Sequence, residues 1–126
     1  SLKNLAITLG INNRVHFLGV RHDIPEILSI CDCFVLASRF EGLGIVVLEA
    51  MAGSKSIIVS NFSAGKDMIV HDIDGLVVET DNVDNLSKAM NRLIIDENLR
   101  QKIAKSAYKK VQQFSIEGHI NKLLSL

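Results

Sequence analysis

The chain has no net charge: 14 lysines and arginines balance 14 aspartates and glutamates over 126 residues. Without a basic surplus it lacks the electrostatic footprint of a nucleic-acid binder, and no nucleic-acid partner is expected. Cysteine is scarce, with Cys31 and Cys33 on either side of Asp32. Two thiols alone make a poor zinc site, and their closeness at a strand start disfavours a disulfide. They read as core thiols in a reducing compartment. No apolar run reaches 18 residues and no basic-then-apolar leader opens the chain. A membrane span and a secretory signal are therefore not expected. The expected location is the cytoplasm, with peripheral contact to the inner face of a membrane. Internal repeats, low-complexity tracts and linkers are also missing. What remains, 48% hydrophobic and 22% charged, suits one globular domain able to bury a core without disulfides or metals.

The rest is organised around Ser38-Arg39-Phe40-Glu41-Gly42-Leu43-Gly44-Ile45-Val46-Val47-Leu48-Glu49-Ala50-Met51-Ala52. Before it, Cys33-Phe34-Val35-Leu36-Ala37 is short, apolar and bounded by polar residues, which predicts a buried strand. Gly42 and Gly44 open the backbone where that strand must turn into a helix, letting a ligand approach the main chain. The residues beyond are apolar on nearly every side, as in a buried helix, with Glu49 set among them. A carboxylate there must be paired, hydrogen-bonded or protonated. Residues 45–48 alone have strand propensity, but Leu48 to Ala52 are good helix formers, and residues 56–60 make a better next strand. In the helix reading, free N–H groups and the positive dipole end near Gly44 suit an anion, most naturally phosphate. Gly44 to Glu49 is a rise of roughly 7–8 Å, so a diphosphate at the tip leaves Glu49 near a nucleotide ribose. Glu41, on the strand side of the turn, faces what lies beyond the diphosphate. That geometry suits a nucleotide-sugar.

In chain order, residues 2–9 have helical spacing and Gly10 is a natural stop. A strand is expected at 15–18. A helix follows with Asp23 as N-cap and Pro25 in its first turn. After the motif come a strand at 56–60, a short helix at 66–70, turn residues 71–75 and a strand at 76–79. A helix capped by Asp81 or Asn82 presents Leu86, Ala89, Met90, Leu93 and Ile94 on one face. Another, after a break near Asp96, presents Leu99, Ile103, Ala107 and Val111 through residue 113. A last helical stretch starts at Ser115. Four strands alternating with helices predict a parallel α/β sheet, with ligands outside the carboxyl ends of the strands. His16, His22, His71 and His119 read as solvated or hydrogen-bonded. Lys66 is placed to neutralise phosphate. Lys102, Lys105, Lys109 and Lys110 read as a solvated helix face.

Two glutamates separated by seven residues, in Ser-x-x-Glu-Gly-x-Gly-x-x-x-x-Glu-Ala-Met-Ala, resemble the signature of retaining "group 1" (family 4) glycosyltransferases of the GT-B fold. Val15-His16-Phe17-Leu18-Gly19, residues 27–38 and Gly75-Leu76-Val77-Val78 resemble that family's other segments in the expected order. The resemblance covers nearly the whole chain. It implies a Rossmann-like parallel sheet with flanking helices, part of a C-terminal nucleotide-sugar-binding domain. It also implies retaining transfer of a sugar, of hexosyl type, from a UDP- or GDP-sugar donor to a glycan or lipid-linked acceptor, in cell-surface polysaccharide or lipopolysaccharide synthesis. Glu49 would then hold the ribose hydroxyls, and Glu41, the catalytic candidate, the donor-sugar hydroxyls. N–H groups around Gly42, Leu43, Gly44 and Ile45 would hold the diphosphate, and main chain at Gly19, Val20 and Arg21 would face the base. No metal or cofactor and no general base are implied.

The departures from the family are specific. The N-terminal acceptor domain and the opening of the nucleotide-binding domain, with its cationic Gly-Arg and Lys segment, are absent from the sequence, so the chain is expected to need that domain or a complementary chain. Ser54 and Ser56 stand where a glycine and a proline usually follow the motif helix, and Asp67 replaces the glutamate of a Gly-x-x-Glu loop. The alternatives are a catalytically inactive nucleotide-sugar-binding or interaction module completed by another chain, and a flavodoxin-like α/β domain of unrelated function.

Overall fold

A computed structural model describes residues 1–37, 45–61 and 67–116, with side chains through residue 113. Three strands form one parallel sheet in the order β1 (Cys33–Leu36), β2 (Ser56–Ser60), β3 (Leu76–Val78). Phe34 lies opposite Ile57, and Val59 opposite Val77. Among the described residues five α-helices accompany it: α1 (Leu2–Thr8), α2 (Ile24–Ser29), α3 (Ile45–Ala52), α4 (Val83–Ile95) and α5 (Glu97–Ile116). The α/β architecture expected of the sequence is the one observed.

Successive strand residues point to opposite faces, so β2, buried at all five positions, feeds two cores. Ile57 and Val59 join Leu28 of α2, Val47, Leu48, Ala50 and Met51 of α3, and Ala107 and Val111 of α5. Ile58 joins Leu76 and Val78 of β3, Ala89 and Leu93 of α4, and Ile103 of α5. Helix α5 therefore serves both faces, four residues apart along one stripe. Covered strands of a parallel sheet are apolar throughout, which is why Ser-Ile-Ile-Val-Ser carries no alternation.

The strand-or-helix ambiguity of residues 45–48 resolves as helix, because α3 has neighbours on both sides: sheet strand β2 and helix α5. The helix stops in a Schellman turn, with Ser54 N–H donating to Met51 O at 3.1 Å and Lys55 N–H to Ala50 O at 3.1 Å. Ser54 takes the left-handed conformation (φ 58°) at the position where glycine is usual. Gly10 (φ 73°) closes α1 in the same way, through Gly10 N–H to Ile7 O and Ile11 N–H to Ala6 O.

Several expectations need correction. Val15 is extended, but residues 15–18 belong to no strand among the described residues. Extended backbone becomes a strand only against a neighbour's ladder, and Phe17 and Leu18 remain half-exposed. Among the described residues the sheet thus has three strands, not the four expected. Of the short helix expected at 66–70, Lys66 lies outside the described residues, Asp67 is in a 3-10 turn, and Ile69 and Val70 are irregular, with Ile69 drawn into the core. On α4, Ala89 and Leu93 are buried, but Met90 and Ile94 face out, because β3 and α5 cover a narrower stripe than the apolar pattern. Lys110 is not on a solvated face; it pairs with buried Asp74 at 2.9 Å. Asp23 precedes α2 but does not cap it, its carboxylate being taken by Arg21 at 2.6 Å. Helix α5 is continuous to Ile116, past the expected end at 113. Both cysteines are free and only partly buried.

Candidate functional site

In a parallel sheet, the connection after each strand must carry the chain back to the opposite end. Helix α3 links the carboxyl end of β1 to the amino end of β2, so its amino end lies at the carboxyl ends of the strands. The same holds for α4, which starts just beyond β3. Two helix amino ends, each the positive end of a helix dipole, therefore sit on one sheet edge. Ligands of open α/β sheets bind at this edge.

Beside the amino end of α4, at the ends of the strands, lies a cavity of about 140 Å³ lined by Ala37, Ser60, Val78, Thr80, Asp81 and Asn82 among others. Its walls are set by a hydrogen-bonded frame. Asn61 N–H donates to Val78 O at 2.8 Å, and Asn61 Oδ1 accepts from Thr80 N–H (3.0 Å) and Thr80 Oγ1 (2.9 Å). Asn85 Oδ1 accepts from Glu79 N–H, while Asn82 Oδ1 caps α4 by accepting from Asn85 N–H. These residues tie β2, β3 and α4 together where the strands end. Sequence reading found only the cap; the polar residues directly after two apolar strands, Asn61 and Thr80, were the available signal.

Glu49 lies in the second turn of α3, half-buried among Val47, Leu48, Ala50 and Met51. Among the described residues no hydrogen bond or ion pair engages its carboxylate. Ile45 is the first residue of α3. Glu41, Gly42, Leu43 and Gly44 lie outside the described residues, as does Lys66. Gly19 (φ 66°), Val20 and Arg21 form an exposed loop. Arg21 is engaged with Asp23, whose hydrogen bond holds the Asp23 carboxyl below the usual range and the guanidinium above its own. No hydrogen bond among the described residues joins this loop to the sheet's carboxyl end.

A larger cavity, about 250 Å³, opens at the amino end of β1 between Asp32, Cys33, Leu93, Ile94 and Arg100. It makes a poor reaction site. Arg100 is occupied in closing α4, donating to Leu93 O at 2.6 Å, and burial pushes the Cys33 thiol up, away from the thiolate a nucleophile needs. Among the described residues no cluster of three or more histidines, cysteines or carboxylates could hold a metal ion. No described helix is long and apolar enough to cross a membrane.

Residues 1–110 match the family described as "Glycosyl transferases group 1". The chain belongs to the group 1 glycosyltransferases. It is 43% identical over 100 residues, 79% of the chain and 27% of the relative, to an N,N'-diacetylbacillosaminyl-diphospho-undecaprenol alpha-1,3-N-acetylgalactosaminyltransferase of Campylobacter jejuni. It is 31% identical over 123 residues, 98% of the chain and 32% of the relative, to an Escherichia coli galactosyltransferase acting on GlcNAc-diphosphoundecaprenol. Among solved structures, the C-terminal domain of a group 1 family protein, LpcC of Francisella tularensis, superposes with a TM-score of 0.80 at 30% identity, covering 89% of the chain and 59% of that domain structure. Anabaena HepE in complex with UDP superposes with a TM-score of 0.85 at 28% identity, covering 98% of the chain and 35% of HepE. The chain spans about a third or less of the two curated relatives.

Proposed function

We propose that this chain is the donor-binding part of a retaining glycosyltransferase, moving a sugar from a nucleoside-diphosphate sugar to a glycan or lipid-linked acceptor. The observation that carries it is the start of α3 at the carboxyl edge of the sheet, with the half-buried Glu49 about 6 Å of helix rise beyond Ile45. An anion at that amino end is stabilised by free N–H groups and the helix dipole, most strongly as charge grows on the departing diphosphate. This reading invokes no divalent metal. The Glu49 carboxylate is a double acceptor for ribose hydroxyls. Glu41, eight positions earlier, is assigned to the donor-sugar hydroxyls, and Gly42, Leu43 and Gly44 to the diphosphate. Gly19, Val20 and Arg21 are assigned to the base. The structure of HepE with UDP supports the donor class, and the lipid-diphosphate acceptors named for the Campylobacter and Escherichia relatives support the acceptor class. Such acceptors are membrane-bound, so the work belongs at the cytoplasmic face of a membrane.

The test is titration of the chain with UDP, GDP and their sugars, followed by backbone amide shifts. UDP or GDP is expected to shift Ile45, Val46 and Glu49, and Glu49→Gln to weaken binding by about tenfold, the loss of a charge-assisted hydrogen-bond pair. Shifts confined to other parts of the fold, or undiminished binding by Glu49→Gln, would sink the proposal.

A further inference from the structure

Lysine 110 is far from the sheet's carboxyl edge in sequence, yet it is built into what lies beside α3. Its Nζ donates to Met68 O at 2.5 Å and pairs with Asp74 Oδ2 at 2.9 Å. The other Asp74 oxygen accepts from Val70 N–H at 2.6 Å. One lysine and one carboxylate thus hold three points of the limb 67–74, across 36 and 42 residues of chain. The Asp74 side chain is only 6% exposed and that of Lys110 24%.

A pair this buried is costly to desolvate, and hydrophobic replacements are often as stable. Its contribution must therefore lie in geometry: it specifies where the limb sits. Met68 and Ile69 are thereby pressed into the cluster that holds Val46, Val47 and Leu48, the first turn of α3. Gly75 shows how closely the limb is seated, since a Cβ there would meet Ile69 Cγ2 at 2.6 Å and Ile57 O at 3.0 Å. Helix α5 packs on α3 as well, so Lys110 ties the limb and the anion-facing helix to one rigid support.

We infer that Asp74 and Lys110 are positioning residues for the donor site, setting the amino end of α3 through the limb 67–70. Neither touches the ligand. The inference rests on the donor-site reading above.

The test compares UDP binding by the wild-type chain, Lys110→Arg, Lys110→Met and the double variant Asp74→Asn/Lys110→Met. The double variant leaves no unpaired buried charge and keeps an acceptor for Val70 N–H, so it remains informative should Lys110→Met not fold. Amide spectra report the fold of each variant without ligand. Expected are a UDP affinity about tenfold weaker in the double variant, in the range that remote substitutions reach, amide changes at residues 67–70 and 45–48 only, and recovery in Lys110→Arg. Wild-type UDP affinity in a double variant whose limb amides have moved overturns the positioning role and leaves the donor site standing. Absence of UDP binding by the folded wild-type chain overturns the donor-site reading, and this inference with it.

Discussion

Residues 1–31 and residues 45–111 carry the same kind of amphipathic patterning and meet different fates. In α1 the expected face is Leu2, Leu5, Ala6 and Leu9, yet Ala6 alone is buried; Leu2 is 71% and Leu5 51% exposed. In α4 and α5 the corresponding positions, Leu93, Ile103 and Ala107, are fully buried. Periodicity states which side of a helix is apolar. Whether that side leaves water depends on a second surface, and α4 and α5 have one in the sheet and in each other. Strand β1 sits between the two regimes: paired among the described residues with β2 alone, it is partly buried at all four positions.

The contrast is broken or upheld most directly by truncating one leucine from each region. Leu93→Ala is expected to cost about 2–5 kcal/mol, transfer plus cavity, against under about 0.5 kcal/mol for exposed Leu5→Ala, measured by urea denaturation of the same chain. Equal costs would mean that α1's apolar side is covered in solution. A smaller effect separates two glycines. Gly75→Ala forces Ile69 or the Ile57 carbonyl aside and should cost about 1–3 kcal/mol by overpacking. Gly10→Ala meets nothing within 4 Å, so about 1 kcal/mol of left-handed backbone strain is its whole cost. Equal losses would make the limb's tight seat irrelevant.

The smallest effect concerns charge. Arg92 hydrogen-bonds Asp72 at 2.8 Å and lowers its carboxyl below the usual range, as Arg21 does for Asp23. A depressed folded-state value means stability present above the unfolded carboxylate range, about pH 4, and lost as pH falls through the folded value. Both pairs are exposed, so both contributions are slight and screened. Arg92→Met should remove the Asp72 share, read as a shallower loss of thermal midpoint as pH falls below about 4. An unchanged profile would show that the pair contributes nothing.

Much of the fold was legible because single residues with one physical meaning mark it. Gly10 closes α1, Asn82 caps α4, Asp96 separates α4 from α5, and the unalternating residues 56–60 announce a strand covered on both faces. Of the candidate site, Ile45 and Glu49 were found through the apolar helix around them. The Asn61–Thr80 frame was not, because nothing local relates two residues 19 apart. Lys110 was read as solvated for the same reason: its partners, Met68 and Asp74, come from a turn far back in the chain.

By itself the sequence determined the class of fold and the family, since these follow from composition, period and a motif contained in fifteen residues. Only tertiary structure decided which apolar faces became core, that residues 15–18 join no strand among the described residues, and that Asp74 and Lys110 are a pair. Those outcomes depend on what each segment meets in space. Burial, ladder pairing and charge neutralisation are properties of two surfaces, and a linear pattern describes one at a time.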